Sequence, residues 1–98
     1  MKTFMVQVVI GDAPAMSYEQ LDRVMARRGF VSHLAGRKRS HRLPAGTYWC
    51  EAQLSLRDIR QMAASAAREV EADVGVIAVR ARGWSVTGLR PALVGPKE

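Results

Sequence analysis

Residues 47–70 read TYWCEAQLSLRDIRQMAASAAREV, and this stretch decides the fold. Its first half alternates. Tyr48, Cys50, Ala52 and Leu54 face one way, and Thr47, Trp49, Glu51 and Gln53 the other, which predicts a strand over 47–53. Its second half has helical spacing, with Leu56, Ile59, Met62, Ala63, Ala66 and Val70 on one stripe. Between the halves stands the grammar of a helix start. Ser55 is the N-cap, Asp58 holds the capping-box position, and Leu54 and Ile59 hold the staple positions. A helix over about 55–72 follows, and its alanines allow close packing on a sheet.

Downstream, Val74–Ala81 is a β-branched run and reads as a strand; Arg82-Gly83 turns. Trp84–Leu89 reads as a further short strand, stopped before Pro91, and residues 92–98 as a flexible tail. Upstream, Leu43-Pro44-Ala45-Gly46 interrupts the chain, and Ala35–Ser40 reads as a hairpin tip after a strand at Phe30–Leu34. Before that lies a first helix over about 17–28. Ser17 and Gln20 have capping-box spacing, and Tyr18, Leu21, Val24 and Met25 make its stripe. Arg27 and Arg28 close its last turn, and Gly29 is placed to be its C′ residue. Phe4–Ile10 alternates as a central strand and ends at Gly11-Asp12-Ala13-Pro14.

The order is β-α-β-β-α-β with a short C-terminal strand, which predicts one α+β domain over residues 1–91. Its plan is ferredoxin-like, an antiparallel sheet with two helices on one face. Met5, Val9 and Trp49 fall on the opposite face. They are too apolar to stay wet, so a homodimer is expected there, with Trp84 as a further contact from the C-terminal strand.

The 98 residues and 48% apolar content suit a single modest core. No run of 18 or more apolar residues exists, which speaks against a membrane partner, and Met1–Ile10 lacks the pattern of a signal peptide. A lone Cys50 gives no disulfide framework, and a reducing cytoplasm is the expected location.

Charge is the strongest functional signal. Between Arg23 and Cys50 lie seven Lys/Arg and no Asp or Glu; the chain as a whole has 15 basic and 9 acidic residues, so the remainder sums to 8 − 9 = −1. The positive charge is local and densest at Arg37, Lys38, Arg39 and Arg42, with Arg27 and Arg28 in support. Such a patch is the footprint of a polyanion, RNA first and an acidic protein surface second.

A set of landmarks resembles the GhoS-like family. They are strand one ending at Asp12 before Pro14, then Tyr18, Leu21, Met25, Gly29-Phe30, Arg42-Leu43-Pro44, Tyr48 and the alanine-rich second helix. Together they cover most of residues 3–90. The best-known member of that family is the endoribonuclease antitoxin of a type V toxin–antitoxin system, and many members are small proteins of mobile elements. The resemblance implies a ferredoxin-like fold similar to the small nuclease subunit of CRISPR adaptation. It also implies an active Asp at the end of strand one, here Asp12, often across a dimer axis. Two features depart from the family: the strand-two loop is more basic, and Asp22 stands in a part of helix one that is arginine-rich there.

The expected function is binding of single-stranded RNA, with its cleavage left open. Cleavage needs a base for the 2′-hydroxyl and cations on the phosphate. His41 within the basic segment and Asp12 are the candidates, Asp12 either as base or as ligand of magnesium, the one cofactor such a site would use. No cofactor motif is otherwise present. The alternative is a non-catalytic phage or mobile-element inhibitor, of the anti-CRISPR kind, that binds a bacterial defence complex where nucleic acid or an acidic protein surface would sit.

Overall fold

In the computed structural model, residues 1–11, 15–35 and 40–83 are described. The chain is an α+β domain with two helices, an antiparallel sheet of three strands and a separate two-stranded sheet. Strand β1 (Lys2–Val9) lies in the centre, between β4 (Thr47–Ala52) and β5 (Gly75–Arg80), antiparallel to both. Its central place follows from its pattern: Phe4, Val6, Val8 and Ile10 are buried to 2% exposure or less. They form one cluster with Leu21 and Met25 of helix α1 (Ala15–Arg27) and Ile59, Ala63, Ala66 and Ala67 of helix α2 (Leu56–Ala67). Both helices therefore cover the same face of the sheet.

The helix signals resolve unequally. Ser55 caps α2 as its spacing predicts, its Oγ accepting from the Asp58 N–H at 3.1 Å, and Leu54 and Ile59 pack on the common core. Leu56, expected in the buried stripe, is instead 43% exposed, because the core side of α2 is centred on Ile59, Ala63 and Ala66. The expected N-cap of the first helix is corrected. Ser17 lies inside α1, which already begins at Ala15. Capping-box spacing does not tell a cap from a serine in the first turn. At the other end the prediction holds. Gly29 has φ +87, its N–H donates to the Ala26 carbonyl, and the Phe30 N–H donates to the Met25 carbonyl. That is a Schellman closure, with Phe30 and Met25 both buried behind it.

The expected strand at Phe30–Leu34 is divided between two partners. Val31 exchanges both main-chain hydrogen bonds with Trp49 at 2.9 Å, on the side of β4 away from β1. From His33 the chain leaves β4, and β2 (His33–Ala35) pairs with β3 (Ser40–Arg42). A turn at Pro44–Thr47 then redirects the chain into β4, closed by the Thr47 N–H on the Pro44 carbonyl at 2.9 Å. Gly46 is required there. Its φ is +83, as the third position of a type II turn demands, and a Cβ on it would stand 2.5 Å from the Val8 carbonyl oxygen. The Trp84–Leu89 strand and the 92–98 tail lie outside the described residues.

The sheet face away from the helices carries Met5, Gln7, Val9, Trp49, Ile77 and Val79. By register, Met5 stands between Trp49 and Val79, and Gln7 between Thr47 and Ile77.

Candidate nucleic-acid interface

The basic segment is organised as the β2–β3 hairpin, whose strands end at Ala35 and resume at Ser40. Arg37, Lys38 and Arg39 fall between them, outside the described residues, as do Asp12 and Trp84.

The root of the hairpin is tied to α1 by a residue that the charge count did not single out. Asp22 accepts from the Tyr48 hydroxyl at 2.6 Å through Oδ1 and from Arg42 Nη2 at 3.0 Å through Oδ2. Tyr48 is fully buried on β4. Burial first, then the hydrogen bond to Asp22 and its charge, hold the phenol well above its ordinary range, so it stays a donor. One carboxylate thus joins helix, sheet and hairpin. Its two short bonds use both oxygens.

The same bond changes the meaning of the patch. Arg42 already has an anion, and so does Arg28, whose Nη2 meets Glu69 Oε2 at 2.7 Å beyond the end of α2. The stretch is acid-free along the chain but not in space: of its four cations among the described residues, Arg28 and Arg42 are matched and Arg23 and Arg27 are in no ion pair there. Arg27 is exposed and makes no hydrogen bond or ion pair among the described residues.

His41 is half-buried opposite Leu34. Its Nδ1 is enclosed with no hydrogen-bond partner. His33, opposite Arg42, is also half-buried. Among the described residues no three His, Cys, Asp or Glu side chains gather where a metal could sit, and Asp12, the expected magnesium ligand, lies outside them. Cys50 is a buried free thiol on β4, pushed up to about 11 by burial and then by Glu51, and is inert in consequence. No helix among the described residues is long and apolar enough to cross a membrane.

A second basic feature escaped the sequence reading. Arg57, Arg60 and Arg68 share one stripe of α2 and its C-cap with Gln61 and Ala64. Asp58 and Glu69 are interleaved with them in sequence; the Glu69 carboxylate is taken by Arg28, and the Asp58 N–H donates to the Ser55 cap. A window count cancels these charges; only the helical spacing separates them. The stripe borders an open groove of about 400 Å³ between α2 and the start of β5.

Comparisons with protein families, curated proteins and solved structures return no match for this chain.

Proposed function

We propose that this chain binds single-stranded RNA through the β2–β3 hairpin, on a ferredoxin-like scaffold, in keeping with the GhoS-like resemblance. The observation that supports this reading is the braced hairpin. A segment from His33 to Arg42 with four cations and no acid of its own is fixed to the core by the Asp22–Tyr48–Arg42 bonds. Fixing the root lowers the entropy lost when the hairpin meets a phosphate chain. The strand order β4-β1-β5, with Val31 bridged to the outer side of β4, is the part of the ferredoxin-like plan that supports the scaffold. Each phosphate neutralised contributes a log–log salt slope of roughly −0.7 on a single strand. Changing Arg37, Lys38 and Arg39 together to Ala therefore flattens the slope by about two units in fluorescence anisotropy. Arg28→Gln changes it far less, since that cation is already paired. No RNA binding at about 50 mM salt, or an unchanged slope in the triple variant, refutes the reading.

The open sheet face supports a homodimer as the second element of the proposal. Val9, Ile77 and Val79 are 50–58% exposed there, beside Met5 and Trp49. Light scattering tests it: Ile77→Glu shifts a wild-type dimer towards the monomer mass, and a wild-type monomer at tens of micromolar removes the idea.

A further inference from the structure

The edge of the sheet at β5 and the arginine stripe of α2 face the same groove. We infer that this groove binds an extended acidic peptide that adds as a strand to β5, with carboxylates four residues apart meeting Arg60 and Arg68.

Three observations lead there. First, β1 occupies one side of β5, and no strand pairs with its other side among the described residues. None of the six residues of β5 is buried, in contrast to the flanking and central strands. An edge of this kind offers main-chain N–H and C=O groups that another peptide main chain can match. Second, the groove is lined by Arg60, Gln61, Ala64, Arg68, Val74 and Val76. Its walls are thus cationic on the helix side and apolar on the strand side. Third, neither arginine has an anion among the described residues. Of the acids that follow Arg68, Glu69 is held by Arg28, and Glu71 accepts from the Asp73 N–H at 3.3 Å. Glu71 and Asp73 follow Arg68 within five residues of the chain, which makes Arg60 the stronger anchor.

The spacing defines the ligand. Eight helical residues from Arg60 to Arg68 advance about 12 Å. Four residues of an extended strand advance about 13 Å and return the side chain to the same side. A peptide lying along the groove therefore presents acids at positions i and i+4 to the two guanidiniums. The residue at i+2 falls opposite Ala64, where the small side chain leaves room for a valine or a similar apolar group. RNA is the poorer match, because a sugar–phosphate chain does not reproduce the alternating donors and acceptors of a strand edge, and Val74 and Val76 offer a phosphate nothing.

The test uses the full chain, labelled with ¹⁵N and titrated with the peptide TETVTET. Binding is expected to shift the amides of Gly75–Arg80 and those around Arg60–Arg68. Arg60→Gln with Arg68→Gln weakens it by about tenfold without changing the circular dichroism spectrum. The lysine peptide TKTVTKT does not bind, and TETVTET N-methylated on alternate amides binds far more weakly. Absence of binding by TETVTET overturns the proposal. So does undiminished binding of the N-methylated peptide, since strand addition is then excluded. Shifts on β2–β3 in place of β5 also overturn it. An oligouridylate that moves the β5 and α2 amides when the peptide does not would assign the groove to RNA, again against the proposal.

Discussion

The β2–β3 hairpin and the α2–β5 side carry positive charge in opposite ways. Along the chain the hairpin segment is purely basic and α2 is mixed. In space the order reverses: Arg42 and Arg28 are bound to acids from elsewhere, while Arg57, Arg60 and Arg68 form no ion pair among the described residues. A carboxylate is matched by what folding brings beside it, not by its neighbours in sequence. The difference also separates structure from function. Arg42 at the hairpin root is tied to Asp22, whereas Arg57, Arg60 and Arg68 are in no ion pair among the described residues and are available to a partner.

The largest loss is expected at the hairpin's exit turn. Gly46→Ala puts a Cβ into positive φ and against the Val8 carbonyl, at a cost of about 3 kcal/mol or more in chemical denaturation. Asp22→Ala comes next. It strips Arg42 of its anion and the buried Tyr48 hydroxyl of its acceptor, costing about 2–3 kcal/mol, whereas Tyr48→Phe costs about 1 kcal/mol. If the two variants fall equally, Arg42 contributes nothing to the brace.

Alkali sharpens the same side of the molecule. Tyr48 and Cys50 both have raised folded-state values, so the unfolded chain loses these protons first. Their stabilisation is complete below about pH 9 and is lost as pH climbs, for Cys50 between 9.0 and about 11 and for Tyr48 from about 10 upward. Denaturation curves at pH 8 and pH 11 should differ by roughly 2 kcal/mol from Cys50 alone, a part that Cys50→Ala removes.

Smallest are the arginines. Arg28→Ala loses an exposed ion pair worth under about 1 kcal/mol. Arg60→Gln with Arg68→Gln leaves stability within about 0.5 kcal/mol. A larger loss from the α2 pair would show that the stripe supports the fold, and the contrast between the two regions would fail.

Local signals were legible wherever one short segment contains its own answer. The Ser55 cap, the Gly29 closure, the alternation of Phe4–Ile10 and the alanine face of α2 each depend on contacts within a few residues, and each is found in place. The strand at Phe30–Leu34 was legible only in part, because which partner it takes is decided by β4 and by the return of Arg42-Leu43, not by its own pattern.

The two helices, the central strand, the core residues and the place of the basic segment can be read along the chain, since periodicity, caps and composition are properties of adjacent residues. Which cations are matched depends on packing. Asp22 meets Arg42 across 20 residues and Glu69 meets Arg28 across 41, and pairing over such distances depends on how helices and strands pack together. The pair of groove walls at α2 and β5 belongs with these, because a helix stripe and a sheet edge become one surface only once both lie against the same core.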